Sequence, residues 1–176
     1  MKVLLTISLL LFGSCTVANE FTVRISEESV SLILDPQVIA KNSVQFSFVH
    51  NDDESSDLIS AGFFAHGSKE SFDARLGGKA YYADLDNDSG YGITLGGEVF
   101  VPVNPQLKLN AGLYYGPSSL SFSDVDTFQE WFVGINYQVF DNASLGAGIG
   151  SLQLEPENGR DVDVDDGVFI EMKLSF

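Results

Sequence analysis

The sequence is short of several things that would otherwise suggest a function. It holds 9 Lys and Arg against 25 Asp and Glu, a formal charge of -16. Phosphate affinity comes from basic side chains, so a general nucleic-acid binder is excluded. Anionic lipid would repel such a chain unless divalent cations or local basic patches intervened. The one cysteine, Cys15, falls within the first 18 residues. The rest of the chain therefore forms no disulfide and offers no cysteine metal site. The motifs G-x-S-x-G, H-E-x-x-H and the P-loop are absent, which removes the commonest hydrolase, zinc-protease and nucleotide-binding readings. After the leader no run approaches the roughly 18 apolar residues of a membrane helix, and no helical period persists.

What the chain does have begins with a leader. Lys2 supplies a positive start, residues 3–12 an apolar stretch, and Thr16-Val17-Ala18 a small-residue exit. Residues 1–18 are expected to be a cleaved signal peptide, and 19–176 the mature protein. A rival reading lipidates Cys15 after Gly13-Ser14, but Phe12 is a poor residue three places before such a cysteine.

Strict alternation then dominates. In residues 72–82, Phe72, Ala74, Leu76, Gly78, Ala80 and Tyr82 fall on one face and Asp73, Arg75, Gly77, Lys79 and Tyr81 on the other. Period two marks strands with one apolar and one polar face. Further strands are predicted at 43–49, 56–65, 90–101, 106–115, 127–139, 143–154 and 167–176, making eight. An opening hairpin at 21–26 and 30–34 makes ten, the preferred count. Short connections (66–71, 102–105, 140–142) alternate with longer acidic ones (51–55, 84–89, 116–126, 155–166). With an even strand number both chain ends face the periplasm and every acidic loop lies outside the cell.

A soluble sandwich or lipocalin-like barrel would also alternate. Two features favour lipid. Aromatics gather near strand ends (Tyr81 and Tyr82, Tyr114 and Tyr115, Phe128 and Trp131, Tyr137 and Phe140), as an interfacial belt requires. The last strand, GVFIEMKLSF, alternates and ends on Phe176, the form of signal read by the outer-membrane assembly machinery. The predicted fold is all-β: an antiparallel up-and-down transmembrane β-barrel of 8–10 strands in the outer membrane of a Gram-negative bacterium. Its lumen is expected to be lined by Arg75, Lys79, Glu98, Lys108, Glu130, Glu171 and Lys173, with cations pairing against these acids and Asp73. Inward Gly77, Gly92, Gly96 and Gly112 should leave room for long side chains. Lumen charges of this kind read as structural filling before a conducting pore.

The stretch GGKAYYADLDNDSGYGITLGGEVFVPV (77–103), then LYYGPSSLSF (113–122) and DVDVDDGVFIEMKLSF (161–176), resembles the YfaZ family of small outer-membrane proteins. The resemblance covers roughly residues 43–176. It implies an outer-membrane β-barrel and offers no functional residues to carry over.

Chemistry-bearing groups are sparse. His50 has Asp52 and Ser55 nearby in sequence, but it belongs to the outer rim and His66 to the periplasmic side, so the two cannot meet. Asp84, Asp86 and Asp88 alternate as in a calcium loop, yet the glycine comes one place late and Leu95 stands where a bidentate Glu belongs. With Asp161, Asp163 and Asp165 they form a rim that either holds Ca²⁺ or Mg²⁺ weakly or is simply hydrated. No tightly bound cofactor is expected. The expected partners are outer-membrane lipid, lipopolysaccharide and the assembly machinery. The expected role is non-enzymatic, structural or surface-interacting; the alternatives are a narrow pore for small solutes and an envelope lipid-modifying enzyme.

Overall fold

The computed structural model describes residues 19–39, 42–52, 55–85, 88–156 and 162–176. The expected leader, with Cys15, lies outside them. The strands are β1 (Asn19–Ile25), β2 (Ser29–Ile39), β3 (Asn42–Asn51), β4 (Ser56–Lys69), β5 (Phe72–Leu85), β6 (Asp88–Pro102), β7 (Leu107–Gly116), β8 (Ser121–Ser123), β9 (Val125–Phe140), β10 (Ala143–Pro156) and β11 (Val162–Ser175). Ten of them pair antiparallel with their neighbours and close into a barrel through β1 and β11, in register from Glu20↔Ser175 to Ile25↔Ile170. The preferred count of ten is the observed one. The eleventh, β8, pairs only with β6, at Gly90↔Ser123 to Gly92↔Ser121. It forms because the β7–β9 connection is long enough to fold back through a 3-10 turn at Ser118–Leu120.

The starts of β1 and the ends of β11 share one rim with the β4–β5 and β9–β10 turns. In bacterial barrels that rim faces the periplasm. The opposite, outer rim carries the longer connections. Several strands run further than expected: β4 reaches Lys69, and β11 begins at Val162 rather than at Gly167. Lengths of 14–16 residues in β4, β5, β9, β10 and β11 exceed the roughly 9–11 that a tilted strand needs to cross a bilayer. Most of the surplus projects outward, while that of β4 lies at the periplasmic rim.

The polarity of the faces changes along these long strands. In the lower part apolar side chains point out, with Leu76 at 69% and Ile170 at 61% exposure, and polar ones point in. In the outer part the pattern inverts. Asp57, Asp84, Gln129 and Gln153 are exposed, while Leu58, Leu85, Phe128, Leu152 and Leu154 are buried inside the barrel. On β10 the alternation keeps its phase while the polarity exchanges: the outward Leu145, Ala147 and Ile149 give way to outward Gln153 and Glu155, and the inward Gly146 and Gly148 to inward Leu152 and Leu154. Lipid selects the first arrangement and water the second. The boundary runs past Ile59, Tyr82 and Tyr91, which are register neighbours across β4, β5 and β6.

The aromatic girdle is thinner than expected. Tyr82, Tyr115, Tyr137 and Phe140 do face outward, but Tyr81, Tyr114 and Phe128 are buried in the lumen. Adjacent residues of a strand point to opposite faces, so only one of each consecutive pair can meet lipid.

Candidate functional site: the lumen

The lumen has three levels above a periplasmic vestibule. In the middle lies a network of charges. Arg75 on β5 donates to Glu98 on β6 at 2.8 Å and to Asp35 on β2. Its guanidinium lies over the ring of Phe64, 4.9 Å from the centroid. Glu98 also accepts the Tyr114 hydroxyl at 2.7 Å. Lys79 on β5 crosses the lumen to Glu130 on β9, at 2.7 and 3.0 Å, with its ammonium 3.6 Å from the centre of the Tyr114 ring. Bonds from β5 to β2 on one side and to β9 on the other divide the bore. The space left among these groups is about 60 Å³, room for only a few waters.

A second cluster straddles the closing seam. Arg24 on β1 donates through Nη2 and Nε to Glu171 on β11, at 2.9 and 3.1 Å. Asn136 donates to the other Glu171 oxygen at 3.0 Å, and Lys173 stands 3.5 Å from it. The Arg24 guanidinium is stacked over Phe169 at 4.1 Å and Phe132 at 4.8 Å. Low dielectric strengthens each of these bonds and makes any unmatched member expensive.

The third level is the apolar outer core. Val49, Leu58, Tyr81, Phe128, Leu152 and Leu154 fill it, and Tyr81 and Phe128 pack at 4.8 Å between ring centres. The Asn51 amide bridges β3 to β11 over this core, donating to the carbonyls of Asp163 and Val164 at 3.2 and 3.1 Å. Asp165 accepts the hydroxyls of Ser26 and Ser29 at 2.6 and 2.8 Å. Two features tie the outer turns down on the core.

At the periplasmic end the lumen widens into a vestibule of about 350 Å³, lined by Glu20, Asp35, Arg75, Phe100, Lys108 and Lys173 among others.

Of the residues singled out in the sequence, the structure brings Arg75, Lys79, Glu98, Glu130, Glu171 and Lys173 into the charge network. Lys108 stands apart at the vestibule, exposed. Asp73 sits at the periplasmic rim, where it accepts the Ser68 hydroxyl. Arg24, Asp35 and Glu20 were missed. Their signal was present, since Glu20, Thr22 and Arg24 alternate with Phe21, Val23 and Ile25. The inward glycines divide by cause. A Cβ on Gly112 would lie 2.4 Å from the Phe132 ring, so this glycine does make room for a side chain, while one on Gly92 would meet both the Leu120 carbonyl at 2.7 Å and the Tyr81 ring at 2.8 Å. At Gly77 and Gly96 the obstacle is instead a backbone carbonyl of the neighbouring strand, of Phe63 and Leu113 respectively.

The acidic rim does not converge among the described residues. Asp163 accepts the Gln153 amide at 2.7 Å, Asp165 is held by the two serines, and Asp84 is exposed opposite Ser89 and Asp57. Asp86 and Asp161 lie outside the described residues. Among the described residues no three His, Cys, Asp or Glu side chains are gathered to hold a metal.

His50 stacks on Phe48 and bonds Asp57 at 2.8 Å and Asp52 at 3.1 Å. It stands level with Asp57 and Asp84, one position beyond the apolar band. The Asp57 hydrogen bond, with the charges of Asp57 and Asp52, raises its pKa above the ordinary histidine value. His66 bonds the hydroxyl of Ser43 at 2.7 Å near the periplasmic side. Ser43 is 1% exposed, which bars a substrate from the one Ser–His hydrogen bond among the described residues.

Phe176 ends the chain with its side chain exposed.

A family model described as YfaZ precursor matches residues 1–176. The chain is 30% identical over 132 residues to the outer membrane protein YfaZ of Escherichia coli (strain K12), covering 74% of this chain and 72% of that one. Among solved structures, a bacterial polysaccharide outer membrane secretin aligns with a TM-score of 0.51 at 12% identity, covering 93% of this chain and 66% of that one. A KdgM porin aligns with a TM-score of 0.48 at 10% identity, over 91% of this chain and 99% of that one. This chain is an outer-membrane β-barrel and belongs to the YfaZ family.

Proposed function

We propose that the protein is a non-enzymatic, non-conducting barrel with a structural or surface-interacting role at the outer rim. The apolar core in the outer part of the lumen carries this reading. A conducting bore needs a continuous wet path, and here Leu58, Tyr81, Phe128, Leu152 and Leu154 close it above a charge network that already bridges the middle. Packed side chains leave no column of water for an ion. The outer surface is then what the protein offers to its surroundings, an acidic rim among lipopolysaccharide, and insertion runs through the assembly machinery that reads the closing strand and Phe176.

Planar-bilayer recording of the refolded protein tests the reading. No stepwise conductance above the empty bilayer is expected. Stable single-channel openings of the wild-type chain would refute it and establish the narrow-pore alternative. The lipid-modifying alternative loses its main candidate at His50, whose two ring nitrogens are both engaged by carboxylates, with no hydroxyl nucleophile bonded to it among the described residues. His50→Gln is expected to leave any lipid hydrolysis in purified material unchanged.

A further inference from the structure

We propose that the periplasmic vestibule is a binding pocket for a small organic anion, one carboxylate or phosphate on a compact apolar body, taken up from the periplasmic side. Three observations carry it. First, the vestibule's volume of about 350 Å³ falls in the range of small-molecule sites, about 300–1,000 Å³. The rest of the lumen, from the central charges to the outer core, leaves only about 60 Å³, so the vestibule is where a solute of this size fits. Second, the cations of this acidic chain are concentrated at this end. Of 9 Lys and Arg in a protein of charge -16, Arg75, Lys108 and Lys173 line the vestibule against the two carboxylates Glu20 and Asp35. Third, these cations are unequally matched. Arg75 is committed to Asp35 and Glu98, and Lys173 stands 3.5 Å from Glu171 and 3.9 Å from Glu20. Lys108 makes no ion pair or hydrogen bond among the described residues. An ammonium at the mouth of a cavity with no counter-charge bonded to it is available to an entering anion and raises its local concentration. Phe100, also on the wall, offers an apolar surface beside the charge.

The proposal uses the closed outer lumen only in that occupancy ends in binding rather than passage. Conductance measures that separately, so either can fail alone.

The experiment is calorimetric titration of the full-length chain, refolded in an uncharged maltoside detergent, with phenyl phosphate. Benzylammonium, of similar size and opposite charge, is the control. Saturable binding of phenyl phosphate and none of benzylammonium is expected. A hydrogen bond to a charged group contributes enough that Lys108→Gln should weaken binding about tenfold. Lys69→Gln, at the end of β4 and outside the vestibule, should leave it unchanged. Heat-modifiable migration on a gel confirms that each variant is a closed barrel. Absence of saturable binding, equal binding of the two probes, or equal loss in Lys69→Gln overturns the proposal. A titration with dihexanoyl phosphatidylglycerol separates a lipid headgroup from a free solute, and tighter binding of the lipid than of phenyl phosphate also overturns it.

Discussion

The seam between β1 and β11 is where the barrel's closure is most exposed to perturbation. Removing Glu171 takes away the acceptor of two Arg24 bonds and one from Asn136, and it leaves Lys173 facing Arg24 with no charge between them. The Glu171 side chain is 1% exposed and that of Arg24 12%, so water cannot take over. Breaking such a buried pair from one side costs about 3–5 kcal/mol. Glu171→Ala should lose that much in urea titration of the protein refolded in lipid vesicles, with an unchanged slope. Arg24→Met should lose less. Its carboxylate partner keeps Asn136 and Lys173, although stacking on Phe169 and Phe132, about 0.5–2 kcal/mol for a cation over a ring, goes with the guanidinium. The double variant Arg24→Met with Glu171→Met should recover part of the loss, because a buried pair replaced by apolar groups of similar volume is often neutral. A Glu171→Ala loss below about 1 kcal/mol, the scale of an exposed pair, would refute the claim that the seam is a dry, coupled cluster.

Three further outcomes follow from the geometry. Gly112→Ala should cost about 1–3 kcal/mol, the scale of overpacking, because its Cβ meets the Phe132 ring on which Arg24 rests; Gly67→Ala, with nothing within 4 Å, should stay within about 0.5 kcal/mol, both by the same urea titration. The His50 imidazole should titrate above 6.5 by NMR; since folding raises its pKa, its contribution is complete below the ordinary histidine value and disappears as pH rises through the raised one, a dependence that His50→Gln should abolish. Phe176→Ser should lower the fraction assembled in the outer membrane of cells while leaving urea stability of the refolded protein within about 0.5 kcal/mol, as the Phe176 side chain is mostly exposed.

Much of the transmembrane zone was legible because lipid imposes a strict rule. Where Leu76, Ala80 and Tyr82 had to face hydrocarbon, Arg75, Lys79 and Tyr81 had to face in, and period two alone places them. The pairing of those charges was less legible. Arg75 and Glu98 are register neighbours on adjacent strands, but Lys79 and Glu130 meet only because the barrel curves β5 toward β9. The outer part was misread at its boundaries. Residues 162–166 look like an acidic loop by composition, yet they pair with β10 at Leu154↔Val162 and Gln153↔Asp163. Val164 is fully buried in the outer core, and that burial outweighs the poor strand propensity of its aspartates.

The exchange of polarity on β10 and the bulge on β11 tie these observations together. A strand crossing from lipid to water must exchange which face is apolar, and it can do so by a bulge or by a change of pattern in an unbroken strand. β10 and β11 combine the two: the pattern changes between Ile149 and Leu152, and the register shifts at Leu152/Gln153, with Val164 taken up by the bulge. Gly167, at φ 94, sits beside this transition on β11, in a backbone conformation glycine adopts without strain. The barrel above this transition obeys the rule of a soluble protein, apolar inside and acidic outside, and the barrel below it obeys the rule of a membrane protein. The side chains that hold the projecting strands together thus occupy the space a solute would have to cross. In this chain the same residues that stabilise the outer strands in water fill the outer lumen, which is the basis of the non-conducting role proposed above.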